Sequence, residues 1–352
     1  MRVLMLVNWK VEKTNKEPEA KQSPDYCVKG KKYWFFKYFK SDINVDVIDV
    51  SSVPILEKFE KNIIHFYIIQ GLKAIPKLKK YDLIISHGAQ SAMIIALFRR
   101  MVKIKTKHIL FDIGSFNSAA ESGIILAVNQ WASKSIDGVI YHTSKQIEYY
   151  KKFYPWIADK SKYIQFGTDP FYFCPMPEEG NKEKYIICVG YNKRDWKTLI
   201  QAYKELNGNV LLKLIGHIDE SYSEINGVIQ IPYIDVKELK KQISNALFCV
   251  LPLKSFNYSF GQMTLLQQMS MEKCVIVADV PSVRDYVIDN VTGIFYKPEN
   301  SKDLCDKMKL VLNNERMAFQ IGKAARRELI NMDNEEKMAL EIEKYFYKVI
   351  YE

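Results

Sequence analysis

Three cations lie close together in VGYNKRDWKTLIQAYKEL, residues 189–206. An apolar strand is expected to end at Gly190. The turn into the following amphipathic helix contains Lys193, Arg194 and Lys197. Parallel α/β sheets bind ligands at the carboxyl ends of their strands, so cations at this turn could neutralise a diphosphate. The alternative is the solvated start of a surface helix, where such charges stabilise little.

A second candidate anion site lies in YSFGQMTLLQQM, residues 258–269, although the chain has neither GxxxxGK[ST] nor GxGxxG. An irregular polar stretch closes at Gly261, and a run of helix formers follows at once. The first amides of such a helix can bind an anion. The backbone N–H groups of Gly261, Gln262 and Met263, with the hydroxyl of Thr264, are expected to face the same cleft as the cations.

These candidate sites fall within a regular alternation of short β-branched and longer amphipathic segments, which is typical of parallel sheets covered by helices. The first series of expected strands is RVLMLVNW, NVDVIDV, DLIISHG, KHILFDIG and GVIYHTS. The second series is KYIICVGYN, VLLKLIG, VIQIPYI, LFCVLPL, CVIVADV and GIFYKP. The Pro-, Gly- and charge-rich FGTDPFYFCPMPEEGNKEK between them is a candidate linker. The sequence therefore predicts two consecutive doubly wound domains with a cleft between them.

The composition fits a globular protein of two domains, since 352 residues can bury two separate cores. No apolar segment approaches the roughly 18–20 residues that span a bilayer. The apolar start MRVLMLVNWKVEK lacks a signal-peptide cleavage site, so it is interpreted as a first strand. The six cysteines lack metal-ligand spacing, which favours buried free thiols in a reducing compartment. A cytoplasmic location is expected.

The positive charge is concentrated in the first half of the chain. Residues 1–150 contain 23 Lys and Arg against 14 Asp and Glu, whereas residues 151–352 contain 28 against 27. Nucleic acid, an anionic membrane surface or a phosphorylated acceptor would each suit this half. The segment AMIIALFRRMVKIKTK (92–107) predicts an apolar helix with a basic end, as on lipid surfaces. LKAIPKLKK (72–80) adds a basic cluster, and a solvated helix face is the alternative for both.

The segment KGKKYWFFKYFK, residues 29–40, combines aromatic and basic residues. Such a combination also binds single-stranded nucleic acid. However, Tyr33, Phe36 and Phe39 fall on one helical stripe where the first helix should follow the first strand. Packing of these aromatic residues in the core is therefore the favoured interpretation.

Four segments of the second half, in this order and spacing, resemble the donor-binding half of family-4 (group 1) retaining glycosyltransferases. They are VGYNKRDWKTLIQAYKEL, LLKLIGH, VIQIPYIDVKELKKQISNALFCVLPL and GQMTLLQQMSMEKCVIVADVPSVRDYVIDNVTGIFYKPENSKDL. The segment QFGTDPFYFCP resembles the family's Gly-x-Asp…Pro stretch before the second domain.

The resemblance implies a GT-B fold, in which two Rossmann-like doubly wound domains face a central cleft. Residues 1–170 would bind the acceptor and residues 171–334 the nucleotide sugar, and residues 335–352 would form a helix crossing back to the first domain. It also implies transfer without a metal ion. Lys193, Arg194 or Lys197 would then balance the leaving diphosphate, and the amides of residues 261–263 would bind phosphate oxygens. The residues expected at the donor are Gly190, Lys193, Gly216, Ser259, Gly261, Gln262, Met263, Thr264, Gln267 and Asp285.

The chain departs from the family at two of these positions. The family usually has two glutamates with seven residues between them, the first near the donor sugar and the second on the nucleotide ribose. Ser259 and Gln267 occupy these positions here. An amide can still bind ribose hydroxyls, but it lacks the charge-assisted bond of a carboxylate, which is worth about 1–2 kcal/mol. The departure leaves open a weakened or a retuned donor site.

The catalytic set is expected to combine Arg194 and Lys197 with Asp112 and His87. Asp112 ends the strand KHILFDIGSFN, where the family often places a histidine facing the donor sugar, and His87 ends the preceding strand. Both are assigned to substrate positioning, because the leaving phosphate can accept the proton of the incoming hydroxyl. For Asp112 the alternative is a turn residue that caps its own backbone. The histidines at 65, 108, 142 and 217 are expected to be structural, although His217 could contact the nucleotide.

The sequence thus predicts a glycosyltransferase that moves a sugar from a nucleotide diphosphate, UDP being the expected one, to a hydroxyl of a glycan or lipid-linked acceptor. No cofactor, metal or nucleic acid is expected, and the enzyme would be cytoplasmic, with peripheral binding to the inner face of the membrane left open. One alternative is a nucleotide-sugar epimerase, with Asp112 and Asp285 as the hints of acid and base groups. The other is a non-catalytic partner subunit, in which Ser259 and Gln267 mark a decayed donor site.

Overall fold

The computed structural model describes the chain except residues 52, 65, 115, 117–119, 178–182, 191–192, 208–209, 257 and 333, and the side chains of 61 and 64. Its first eight strands are β1 (Arg2–Leu6), β2 (Glu12–Thr14), β3 (Tyr26–Val28), β4 (Asn44–Ile48), β5 (Leu83–His87), β6 (Lys107–Phe111), β7 (Gly138–Tyr141) and β8 (Ser161–Tyr163). The next six are β9 (Tyr185–Val189), β10 (Leu211–Ile215), β11 (Val228–Ile231), β12 (Phe248–Leu251), β13 (Val275–Ala278) and β14 (Ile294–Tyr296).

Two six-stranded parallel sheets organise the molecule. The first has the order β4-β1-β5-β6-β7-β8 and the second the order β11-β10-β9-β12-β13-β14. The direction of strand order reverses between β1 and β5 in one sheet and between β9 and β12 in the other. Ligands bind at such reversals in open α/β sheets. The predicted α/β class with two doubly wound units is confirmed.

The inner strands of the two sheets are buried and mostly apolar because both faces of each sheet are covered. On one face of the first sheet, Leu4, Leu6 and Ile84 pack against Ile95. The helices and helical turns of the first half are Trp34–Tyr38 (3₁₀), Pro54–Phe59, Glu60–Ile64 (π), Ile68–Ala74, Ile75–Lys80 (3₁₀), Ala89–Met101, Gly123–Ser133, Gln146–Phe153 and Pro155–Ala158.

The opposite face of the first sheet is covered by two segments far apart in sequence. Val3, Met5 and Phe111 share one cluster with the Trp34–Tyr38 turn and the last helix, Glu335–Tyr351. Phe35 and Phe36 are buried there, so the prediction that the aromatic residues of 29–40 pack in the core is confirmed, although the helix is only a short 3₁₀ helix. The last helix therefore belongs to the core of the first domain.

The second sheet is covered in the same way by helices that follow its strands. They are Trp196–Leu206, Glu220–Tyr222 (3₁₀), Val236–Asn245, Gln262–Ser270, Ser301–Leu312 and Glu315–Met332. One core cluster joins all the inner strands of this sheet, and the thiols of Cys188, Cys249, Cys274 and Cys305 are free and buried.

The structure adds three strands that the sequence analysis did not predict. The short edge strand β8 completes the first sheet, and β2 and β3 pair as a separate two-stranded ladder. This ladder lies within residues 10–30, which carry no periodic pattern. Among the described residues, no helix combines the length and apolar character that crossing a bilayer requires.

Candidate functional site

A cavity of about 710 Å³ lies where the strand-order reversals of the two sheets face each other. The first sheet contributes Asn8 and Trp9, which follow β1, and His87 at the end of β5. The second sheet contributes Lys193 and Arg194 after β9, and residues 258–263 after β12. The two predicted anion-binding segments therefore do meet in one cleft.

Arg194 is anchored at the floor of this cavity, with only 7% of its surface exposed. Its Nε donates to the carbonyl oxygen of Val189 at 3.1 Å, and its Nη2 donates to Thr264 Oγ1 at 3.2 Å. Gly190 makes this position possible. A Cβ there would lie 2.4 Å from Arg194 Nε, and the φ of +147° is unfavourable for other residues.

Lys193 presents its ammonium group to the cavity from a left-handed backbone conformation, with φ of +57°. The Nζ atom lies 5.1, 4.1 and 5.5 Å from the ring centres of Phe256, Tyr258 and Phe260, and it donates to the Tyr258 hydroxyl at 2.6 Å. Lys193 is exposed as a whole residue, and the partial burial of its ammonium group among these rings lowers its pKa to about 8. Cation–π contacts stabilise the ammonium group without neutralising it, so an anion would provide its counter-charge.

The start of helix Gln262–Ser270 completes the anion site. Gly261 precedes it with φ of +84°, and a Cβ there would lie 2.9 Å from Leu253. Among the described residues, no side chain caps the first turn, and residues 261–263 line the cavity. The first amides of an uncapped helix and two cations therefore converge on one region, which is the arrangement that binds phosphate groups.

A second cavity, of about 410 Å³, adjoins the first. The residues that line both cavities are Gln22, Pro24, Trp34, Phe166 and Met263. Gln267, one helical turn beyond Met263, lines only the second cavity. Its side-chain Nε2 donates to Gln22 Oε1 of the first domain at 2.9 Å.

Two buried histidines face the larger cavity from the first domain. Burial, with a smaller effect of His142, lowers the pKa of His87 to about 3. Burial also lowers the pKa of His142 to about 4. The hydrogen bond between its Nδ1 and the Ile164 carbonyl oxygen, at 2.7 Å, raises the pKa but has the smaller effect. Both rings are therefore neutral at pH 7. His142, expected to be structural, was missed as a cavity residue, and its place directly after strand β7 is the signal that could have found it.

Other predicted residues lie outside the cavities. Asp112 is fully buried, and its carboxylate accepts from Tyr150 Oη at 2.5 Å, Gln146 Nε2 at 3.0 Å and the Phe116 amide at 3.1 Å. Any role of Asp112 in catalysis has to be indirect. Lys197 is exposed on its helix and lines neither cavity.

Gly216 follows β10 and, like Asp285, lines neither cavity. The carboxylate of Asp285 accepts from the amide and the hydroxyl of Ser144 in the first domain, at 2.7 and 2.6 Å. It therefore joins the two domains beside the cleft. His217 stacks on Trp196, with ring centres 4.4 Å apart.

Ser259 lines the larger cavity, but its hydroxyl is engaged by the first domain. The Oγ atom lies 3.0 Å from Thr143 Oγ1, donates to Gln146 Oε1 at 3.1 Å and accepts from the His142 amide at 3.3 Å. Ser259 and Gln267 occupy the two positions that depart from the family pattern. The side chains of both residues thus form hydrogen bonds to the first domain across the cleft.

Within the described part of the chain, no group of three or more His, Cys, Asp or Glu has the arrangement of a metal site.

Comparison with solved structures identifies the fold. Sucrose-phosphate synthase from Thermosynechococcus elongatus is 17% identical, with 100% of both chains covered and a TM-score of 0.74. Anabaena Alr3699/HepE, solved in complex with UDP-glucose, is 14% identical over 99% of this chain and 100% of that chain, with a TM-score of 0.72. The lipopolysaccharide outer core galactosyltransferase WaaB is 14% identical over 100% of this chain and 99% of that chain, with a TM-score of 0.61. The chain has the GT-B fold.

The second domain also resembles a known family. Residues 176–328 match the model of the family described as glycosyl transferases group 1, which confirms the resemblance inferred from the sequence for this part of the chain. A search of curated proteins finds no match.

Proposed function

We propose that this protein transfers a sugar from a nucleotide diphosphate, UDP being the expected one, to a hydroxyl of a glycan or lipid-linked acceptor. The observation that carries the proposal is the convergence of Lys193, Arg194 and the uncapped helix start at Gly261 on one cavity. The family of residues 176–328 and the UDP-glucose complex of a protein with this fold support it.

In this proposal the donor spans both cavities. The diphosphate lies against Lys193, Arg194 and the amides of residues 261–263, and the ribose lies at Gln267 in the adjoining cavity. The sugar then extends from the diphosphate towards His87 of the first domain. An acceptor hydroxyl would approach from the same side of the cleft.

The residues of the site suggest how transfer proceeds without a metal ion. The bond between the anomeric carbon and the diphosphate oxygen breaks as the acceptor oxygen bonds to the same face of that carbon, which retains the configuration. The acceptor proton passes to an oxygen of the leaving diphosphate. Lys193, Arg194 and the helix start stabilise the negative charge that develops there, and His87, being neutral, serves to position the sugar.

The direct test is thermal stabilisation by UDP, GDP, ADP and CMP, each with and without Mg²⁺. A ligand at 100 times its Kd adds about 2.7 kcal/mol to the free energy of unfolding. Stabilisation by one diphosphate without Mg²⁺ supports the proposal. Failure of all four contradicts it and would favour the partner-subunit alternative. The epimerase alternative is less well supported, because neither Asp112 nor Asp285 is among the described residues that line the two cavities.

Binding of the diphosphate is expected to depend on pH through Lys193. Its pKa of about 8 in the free protein means that the ammonium group is charged below pH 8, and a bound diphosphate raises this pKa. The affinity for the diphosphate is therefore highest below pH 8, and it falls by up to about tenfold for each pH unit above 8. Titration calorimetry between pH 7 and 9.5 measures this dependence. The variant Lys193→Met should bind weakly with a flat profile, and an unchanged slope in that variant would assign the titration to another group.

We further propose that the first domain docks on an anionic membrane. Helix Gly123–Ser133 exposes Ile124 (82%), Ile125, Val128 and Trp131 on one side. Their spacing places them along a single helical face. Arg100 lies over the Trp131 ring at 5.3 Å, and exposed Met101 follows it. An apolar stripe beside basic side chains suits the interface of an anionic bilayer.

This surface predicts binding to vesicles that contain phosphatidylglycerol but not to vesicles of phosphatidylcholine alone. Replacing Ile124 by glutamate should weaken vesicle binding about tenfold. The change removes one apolar side chain that would be buried in the bilayer and adds a negative charge that the anionic lipids repel. Vesicle co-sedimentation measures this. The matched control is Phe319→Glu, an exposed aromatic residue of the second domain, which should bind as the unaltered protein does. Equal loss in both variants would contradict the assignment of this surface.

A further inference from the structure

Residues 17–25, here called the lid segment, cross the cleft from the first domain to the second. Beyond the bond of Gln22 to Gln267, the Ala20 carbonyl oxygen accepts from the Val236 amide at 3.4 Å. The Lys21 carbonyl oxygen accepts from Tyr172 Oη at 3.2 Å. Glu19 forms an exposed ion pair with Lys237 at 3.2 Å. The tip of the segment is therefore fastened to the second domain by several weak bonds.

The two ends of the lid segment are fixed to the first domain. Strands β2 and β3 pair on either side of it. The Pro24 carbonyl oxygen accepts from Trp9 Nε1 at 3.2 Å and from Tyr33 Oη at 2.8 Å. A segment with fixed ends and a weakly bonded tip can open at the tip without unfolding the first domain, as active-site lids do.

Gln22 at the tip and Gln267 of the second domain form a pair of amides with unused hydrogen-bonding capacity. Gln267 Nε2 and Gln22 Oε1 bond to each other. In the described part of the chain, Gln267 Oε1 and Gln22 Nε2 make no hydrogen bond to protein. Both residues line the 410 Å³ cavity. The pair thus offers one acceptor and one donor side by side, and a vicinal diol can satisfy both because each hydroxyl donates and accepts.

We propose that Gln22 is a ribose-binding residue supplied by the first domain, and that it forms with Gln267 a two-amide clamp on the 2′ and 3′ hydroxyls. The lid segment closes over the nucleoside as the clamp forms. This inference rests on the proposed function, because it takes the ligand to be a nucleoside diphosphate. It gives the amide at position 267 a role: a hydrogen bond from the opposite domain takes the place of the bond that a carboxylate would make to the ribose.

The clamp also links donor binding to closure of the cleft. A ribose held by Gln22 and Gln267 bonds to both domains at once, so the complex with donor favours the closed arrangement. A bound nucleotide would therefore strengthen the contacts of the lid segment instead of competing with them.

The test measures binding of whichever of UDP, GDP, ADP and CMP stabilises the protein most, together with its 2′-deoxy form, by titration calorimetry. The variants are Gln22→Ala, Gln267→Ala and the double variant. Each single variant should lose about five- to tenfold in affinity for the ribonucleotide and less than twofold for the 2′-deoxy form. The double variant should lose less than the product of the two single losses, because the amides act as a unit.

The matched control is Gln320→Ala, an exposed glutamine of the second domain that lines neither cavity, and this variant should bind both nucleotides as the unaltered protein does. Unchanged or tighter ribonucleotide binding by Gln22→Ala would overturn the clamp while leaving the proposed function intact. Failure of the unaltered protein to bind any of the four nucleotides would overturn both.

Discussion

Replacement of Lys193 by methionine should lower kcat/KM for sugar transfer by at least about 100-fold. Methionine keeps most of the apolar length of lysine and removes the charge that stabilises the leaving diphosphate. Removing one such preorganised electrostatic contact typically costs about 10²–10³ in rate. Lys193 lines the cavity together with Arg194, and its ammonium group is hydrogen-bonded to the Tyr258 hydroxyl. Steady-state kinetics with the identified donor measures the loss.

Lys197 provides a matched control for this experiment. It is four residues further along the chain, carries the same charge and is exposed like Lys193, but it lines neither cavity. The variant Lys197→Met should keep kcat/KM within about twofold, since an isolated surface charge contributes little. Equal losses in the two variants would mean that long-range charge, not contact with the diphosphate, determines the rate.

Replacement of Asp112 by alanine should destabilise the first domain by about 3–5 kcal/mol. The change leaves the buried donors of Tyr150, Gln146 and the Phe116 amide without their shared acceptor, and breaking such a buried network is among the costliest single changes. Urea unfolding followed by tryptophan fluorescence measures the free energy of unfolding. The exposed Asp159→Ala is the control and should change it by less than about 0.5 kcal/mol.

The same variant separates two roles for Asp112. A residue that contacts the sugar would lower kcat while leaving the free energy of unfolding unchanged. A residue that fixes the loop after β6 would lower stability first and activity only in proportion to the unfolded fraction. The observed geometry predicts the second result.

The sequence was most informative where a local pattern decides the structure. The buried strands, the cation-bearing turn after β9 and the helix start at Gly261 each follow from a few consecutive residues. Lys193 and Lys197 could not be separated in this way. The Asp195 side chain caps the helix by accepting from the Thr198 amide at 3.1 Å, which places Lys197 in the helix while Lys193 stays in the turn.

Contacts between distant segments account for what the sequence could not indicate. The lid segment has no periodic pattern, and its position depends on Trp9, Tyr33 and residues of the second domain. His142 and Asp112 each directly follow a strand of the first sheet, yet only His142 lines the cavity. Their difference arises from the partners Tyr150 and Gln146, which a one-dimensional pattern does not specify.

The packing of the last helix on the first sheet also sets an order of events during synthesis. Ile342 and Phe346 fill the core beside Phe36, and the Tyr345 hydroxyl accepts from the Val139 amide at 3.1 Å. A ribosome that has completed the first sheet must still translate the whole second domain before these residues emerge. At about 5–20 residues per second this takes roughly ten seconds or longer. Throughout that interval the apolar face around Phe36 lacks the helix that covers it in the folded protein, so the first domain completes its core only after the second domain has been synthesised.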